Sequence, residues 1–128
     1  MNDVFELARK AAEKSSPQVT KYRHSSIIID RTGKILSTGY NHFAGKRIQI
    51  EDSIINKTIH SEAHALTKVN LKKLDNSVII NYGRTNISAI LSRPCPNCWT
   101  ILKKLGFKKM FYTVRSDLKK SLWKEEYF

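Results

Sequence analysis

Apolar and polar residues alternate along this chain in two rhythms. Val4, Leu7, Ala8, Ala11 and Ala12 recur at helical spacing. They predict an amphipathic helix over 3–15, with Asn2 as a cap and Ser15-Ser16-Pro17 as its end. The Ile-rich run Ser26 to Asp30 predicts a buried strand. Arg31-Thr32-Gly33-Lys34 supplies a turn, and Ile35 to Thr38 returns as the second strand of a hairpin. A stretch with Gly39, Asn41 and Gly45 follows and reads as irregular to about Asn56, a loop long enough to suggest function. A second helix is predicted over Ile59–Leu71, strands over Ser77–Tyr82 and Ile87–Leu91, and a break at Arg93-Pro94. A third helix should run from Cys95 to Gly106, a residue suited to a C-terminal cap, and a strand from Lys109 to Val114. Ser116 can cap a last helix with Leu118 and Leu122 on one face. This alternation predicts one central sheet flanked by helices.

Composition narrows the class without changing that picture. At 128 residues with 41% hydrophobic content, the chain has the size and apolar fraction of one globular domain, 1–128. Collagen-like repeats and disorder are excluded, and no apolar run approaches membrane-spanning length. The N-terminus lacks the basic-then-apolar pattern of a signal peptide, and two cysteines cannot build a disulfide scaffold. The expectation is a reducing compartment, the cytoplasm. Twenty-three Lys and Arg against eleven acids leave a net charge of +12. Such a balance suits polyanions or phosphorylated small molecules, or it marks only a solvated lysine-rich surface.

Two short segments carry candidate chemistry: His60-Ser61-Glu62 at the start of the second helix, and Pro94-Cys95-Pro96-Asn97-Cys98 at the start of the third. A Cys-x-x-Cys at a helix N-terminus places thiolates beside exposed N–H groups and the positive end of the helix dipole. One His and two Cys give zinc three ligands and leave a fourth tetrahedral position for water, the pattern of a catalytic site. Glu62 is then suited to proton transfer from that water. Residues two apart on a helix point about 200° from each other. His60 and Glu62 therefore meet at one metal only if His60 lies at or before the first turn; Thr58 as cap would allow this. A thioredoxin-like redox pair is the alternative for Cys95 and Cys98, with Pro94 and the upstream His-x-Glu arguing against it.

The set His-x-Glu then Pro-Cys-x-x-Cys is the signature of zinc-dependent nucleobase deaminases. Ile35-Leu36-Ser37-Thr38-Gly39-Tyr40-Asn41 resembles the Gly-x-Asn segment of deoxycytidylate and tRNA adenosine deaminases. His60-Ser61-Glu62-Ala63-His64-Ala65-Leu66 resembles their His-Ala-Glu-x-x-Ala-Leu helix, with Ser61 where Ala is usual. Ser92 to Cys98 resembles their Cys-x-x-Cys helix start, and the likeness extends from roughly Leu7 to Val114. It implies an α/β, three-layer α/β/α sandwich on a mixed five-stranded sheet, the cytidine deaminase-like fold. It implies Zn2+ held by His60, Cys95 and Cys98, and Glu62 as the catalytic proton carrier. It also implies substrate contacts from Asn41, the backbone N–H of Ser61 and the carbonyl of Arg93, with His64 as pocket wall or packed residue.

The implied reaction is hydrolytic deamination of cytosine in a nucleoside or nucleotide such as (deoxy)cytidine or dCMP. The additional Cys and His of a second, structural zinc site, seen in many deoxycytidylate deaminases, are missing. Lys46 and Arg47 could take a 5′-phosphate. The alternative substrate is a base within a polynucleotide: cytosine in single-stranded DNA or RNA, or adenosine in tRNA. Net charge favours it, with Lys119, Lys120 and Lys124 as a basic patch on the last helix for single-stranded nucleic acid; the lack of an RNA-binding appendage opposes it. A deaminase-fold binding protein is the non-enzymatic reading, disfavoured because every catalytic residue type is present. His24 and His42 read as surface or pocket-rim residues, and Trp99 and Trp123 as core or interface aromatics, with base stacking as the alternative. A homodimer is expected by analogy with single-domain members of the fold.

Overall fold

The computed structural model describes residues 2–14, 22–50 and 53–128; for 2, 42–50 and 53–59 it describes the backbone alone. The predicted helix stop at Ser15-Ser16-Pro17 lies outside the described residues.

Strand β1 (Arg23–Ile29) is buried from Ser25 onward, and its Ile27, Ile28 and Ile29 point alternately to its two faces. On one side it pairs antiparallel with β2 (Ile35–Tyr40), on the other with β5 (Val78–Arg84). Beyond β5 lies β7 (Lys109–Val114), in parallel, and then β9 (Leu122–Tyr127), antiparallel to β7. The two-residue strands β6 (Ser88–Ala89) and β8 (Ser116–Asp117) extend from the end of β5. The five longer strands form a mixed sheet in the order β2-β1-β5-β7-β9.

Both sheet faces are covered, which is why β1 and β5 each carry three consecutive aliphatic residues, Ile27–Ile29 and Val78–Ile80. On one face α1 (Asn2–Ala12) packs Ala8 and Ala12 on Ile27, Ile80 and Tyr82. On the other, α2 (Ser61–Leu66) and α3 (Pro96–Lys104) bring Ala65 and Leu102 onto Ile28, Ile79, Met110 and Tyr112. The result is the expected three-layer α/β/α arrangement. Among the described residues, no helix is long and apolar enough to cross a membrane.

Four elements differ from the sequence expectation. The stretch read as irregular to Asn56 contains an antiparallel hairpin, β3 (His42–Ile50) with β4 (Ser53–Ile59). The second helix is confined to Ser61–Leu66 because Thr67 Oγ1 donates to the His64 carbonyl at 2.7 Å, and Asn70 opens a separate 3₁₀ turn by accepting the Lys72 N–H. The strand over Ile87–Leu91 shrinks to Ser88–Ala89.

The predicted last helix does not exist. Ser116 Oγ accepts the Leu122 N–H at 3.0 Å, Asp117 caps a 3₁₀ turn over Leu118–Lys120, and β9 follows. The free edge of β7 and the stacking of Trp123 on Phe5, centroids 4.3 Å apart, outweigh the weak helical spacing of Leu118 and Leu122. Lys120 and Lys124 therefore share no helix face.

Two glycines position the motif helices. A Cβ on Gly39 of β2 would lie 2.4 Å from the Ala65 nitrogen and 2.5 Å from the Ser61 carbonyl oxygen, so only glycine lets β2 approach α2 this closely. Gly106, at φ +93°, ends α3 in the left-handed region as expected, and the Phe107 N–H returns to the Leu102 carbonyl.

Candidate active site

Both metal-binding motifs sit at helix starts. His60 is the N-cap of α2, with extended backbone (φ −66°, ψ 150°), so it precedes the first turn as a shared site with Glu62 requires. The His60 side chain makes no capping hydrogen bond, and Thr58, the expected cap, is instead a residue of β4, which runs to Ile59, so the cap falls two residues later. Cys95 is the N-cap of α3, Pro96 follows in the first turn, and the Cys98 N–H points at Cys95 Sγ at 3.5 Å.

The three side chains converge across the sheet top. The donor atoms of His60, Cys95 and Cys98 all lie within 4.8 Å of one another, and Cys98 Sγ is 3.7 Å from His60 Nδ1. Tetrahedral zinc with ordinary Zn–S and Zn–N bonds separates its ligands by about 3.5–3.8 Å. The donor set therefore fits zinc in both chemistry and spacing. Burial pushes the Cys98 thiol up to about 12, and the nearby Glu62 and Cys95 act in the same direction. A divalent cation is the charge that would offset this.

Beside these donors is a cavity of about 440 Å³, lined by Tyr22, His24, Asn41, His60, Ser61, Glu62, Leu91, Ser92, Arg93 and Cys95. Glu62 is only 8% exposed, and its Oε1 accepts the Ser61 hydroxyl at 2.8 Å. The Asn41 amide is clamped: Oδ1 accepts the His24 N–H at 2.9 Å and Nδ2 donates to the Tyr22 carbonyl at 3.1 Å. His24 Nδ1 lies 2.9 Å from Ser92 Oγ. Burial lowers the pKa of His24, an effect that Glu62 opposes and His60 reinforces.

The structure thus gathers His60, Ser61, Glu62, Asn41, Arg93 and Cys95 around one cavity and sets Cys98 against His60. The Arg93 guanidinium is engaged elsewhere, by Glu126 and by the Trp99 ring 4.6 Å away. His64 is not among the cavity-lining residues. Its Nδ1 accepts the Tyr40 N–H at 3.1 Å and its ring meets Tyr40 edge-on. Trp99 packs on Phe128 and Trp123 on Phe5. The side chains of His42, Lys46 and Arg47 lie outside the described residues.

Lys119 and Lys120 line a different cavity, with Phe5, Arg9, Tyr82, Arg84 and Trp123 on the α1 side of the sheet. Sequence reasoning missed Tyr22, Leu91 and Ser92 as cavity residues. Ser92 had a signal, being next to the Cys-x-x-Cys motif; Tyr22, just before β1, and Leu91, after β6, carry no local motif.

Comparison with known proteins agrees with this geometry. Residues 1–114 match the family model for the cytidine and deoxycytidylate deaminase zinc-binding region. No curated protein sequence matches. Among solved structures, cytidine deaminase from Burkholderia pseudomallei superimposes with a TM-score of 0.59 at 16% identity, covering 95% of this chain and 87% of that one. The dCMP deaminase of cyanophage S-TIM5 in complex with dCMP and dUMP gives 0.54 at 24% identity, covering 88% and 82%. Its apo form gives 0.56 at 24%, covering 89% and 85%.

Proposed function

Because this chain belongs to the cytidine and deoxycytidylate deaminase family, a group of zinc hydrolases acting on C–N bonds, we propose that it deaminates cytosine in a small nucleoside or nucleotide, (deoxy)cytidine or dCMP. Water and the cytosine enter, and the uracil product and ammonia leave. The observation that carries this reading is Glu62, almost buried yet on the wall of the same cavity as His60 and Cys95.

Zinc, held by His60, Cys95 and Cys98, would supply the Lewis acidity that lets water lose a proton near neutral pH. Every other step falls to the chain. Glu62 takes that proton and delivers it to the ring nitrogen N3 as the C4–O bond forms, then takes the remaining proton of the new C4 hydroxyl and hands it to the amine as the C4–N bond breaks and the C4 carbonyl forms. The Ser61 N–H, in the first turn of α2 and so without an intrahelical acceptor, donates to the base carbonyl. Asn41, fixed at both ends of its amide, holds the sugar, and the carbonyl of Arg93 takes an N–H of the leaving amine.

The nucleotide arm of this reading draws on the cyanophage relative, whose structure is a complex with dCMP and dUMP. A second reading, cytosine or adenosine within a polynucleotide, is favoured by the net charge of +12. Mass spectrometry of products from cytidine, deoxycytidine, CMP, dCMP, free cytosine, tRNA and single-stranded DNA separates the two. Uracil product from a free nucleoside or nucleotide is the expected result. Conversion confined to the polymers would overturn it.

A further inference from the structure

Behind Glu62 a line of polar atoms runs away from the cavity into the core. Ser61 Oγ is 2.8 Å from Glu62 Oε1, Ser26 Oγ is 2.8 Å from Ser61 Oγ, and the Asn81 carboxamide is 2.6 Å from Ser26 Oγ. Ser26 and Asn81 face each other directly in the β1–β5 ladder, and both are completely buried. Neither lines the cavity. A serine and an asparagine amid Ile27, Ile28, Ile79 and Ile80 are costly to bury unless their groups have partners.

Counting protons orders the line. Three successive contacts need three protons, and the two hydroxyls supply two. Ser61 Oγ donates its one proton to Glu62 Oε1, so Ser26 donates to Ser61. The third proton must then come from Asn81. With Oδ1 toward Ser26, the Ser26–Ser61 contact has no proton and Asn81 Nδ2 is buried with no partner among the described residues. Turned through 180°, the carboxamide donates an N–H to Ser26 and completes the chain.

We propose that Ser26 and Asn81 are positioning residues for Glu62. The one-way series Asn81 to Ser26 to Ser61 fixes Oε1 and leaves the second carboxylate oxygen for the cavity. Ser61 supplies the hydroxyl that links the core pair to the carboxylate, and Ser26 Oγ itself lies 3.5 Å from Glu62 Oε1. The series holds the general acid–base group to one orientation, as partners outside the reacting shell do elsewhere.

This inference rests on Glu62 as the proton carrier, and the test separates the two. Ser26→Ala and Asn81→Leu are made independently, so that one folding failure leaves the other, and are assayed as zinc-loaded protein beside Glu62→Ala on cytidine and dCMP. The expected result is a fall in kcat of ~10–100-fold in each positioning variant, with zinc content unchanged. KM should stay within about threefold, because the loss is confined to the transition state. Wild-type kcat in both variants, with Glu62→Ala inactive, overturns the positioning role alone. Parallel loss of zinc and activity overturns it too, since the pair would then serve the fold. Full activity in Glu62→Ala would instead remove the reading on which it rests.

Discussion

Arg93 Nε donates to Glu126 Oε2 at 2.9 Å, tying the residue two places before Cys95 to the last strand of the sheet. A second donor, Nη2, reaches Oε1 at 3.4 Å. Each raises or lowers the other's pKa in the direction of a stable pair. The side chains are 39% and 34% exposed, so solvent screens the attraction. Glu126→Ala should therefore cost only about 0–1 kcal/mol, a melting shift of a few degrees at most. Thermal unfolding at low and high salt checks this, and a salt-independent loss above that range would show that β9 depends on the pair for docking.

That contact also marks where the sequence was readable and where it was not. His60, Cys95 and Cys98 were legible because helix starts with Cys-x-x-Cys and His-x-Glu are local patterns, and local spacing brings the donors to helix N-termini. β9 was not. Leu118 and Leu122 are four apart, as on a helix face, whereas the ladder to β7 and the Phe5–Trp123 stack are contacts between distant segments. The hairpin β3–β4 was hidden for a related reason: Ile48 and Ile50 alternate with polar residues, but Gly45, Lys46 and Arg47 interrupt the run. Ser26 and Asn81 were visible only as polar interruptions of Ile-rich strands. Their meaning depends on a register that no single strand encodes.

The three donors should bind one zinc per chain. Elemental analysis of purified protein is expected to find it, and Cys95→Ala with Cys98→Ala together should abolish it. Because burial pushes the Cys98 thiol up to about 12, the metal-free protein holds that proton at neutral pH. Zinc uptake must displace it, so apparent affinity should climb about tenfold per pH unit for each proton released. Competition with a chelator across the neutral range measures the slope; a flat profile would mean that Cys98 is not a ligand.

Glu62→Ala should retain zinc and fold yet lose turnover by at least ~100-fold, the usual scale of general acid–base assistance. The carboxylate lies outside the three-residue donor set, so metal content is the control. Loss of zinc in this variant would recast Glu62 as a ligand.

His24 gives a pH dependence of stability. Burial, the largest cause, lowers its folded pKa below the ordinary 6.5. Between the two values the unfolded chain binds more protons than the folded one, so acid favours unfolding. The contribution is complete above pH 6.5 and is lost as pH falls through the folded value. Denaturant titrations over that window should show stability declining in the wild type and a shallower decline in His24→Gln. Equal slopes would mean that His24 titrates alike in both states.

The lysines near the C-terminus lead to the last expectation. Lys119 and Lys120 border the α1-side cavity with Arg9 and Arg84, whereas the zinc donors sit at the starts of α2 and α3, on the opposite face of the sheet. Lys124 lies in β9 next to Trp123, and successive side chains of a strand point to opposite faces; Trp123 packs on the α1 side, which sends Lys124 to the other. The three charges therefore do not form one track leading to the cavity. Reversing all three to Glu changes the net charge by six units and should weaken salt-sensitive, non-specific binding of single-stranded nucleic acid, an interaction in the ~10–100 µM range at physiological salt. Turnover of free nucleosides and nucleotides should be unchanged, because nothing in the cavity wall is altered. Fluorescence anisotropy with a labelled oligonucleotide and the product assay, run on the same protein, read the two effects separately. A selective fall in oligomer deamination would instead mean that a strand crosses the sheet edge to reach Glu62, and the polynucleotide reading would take precedence.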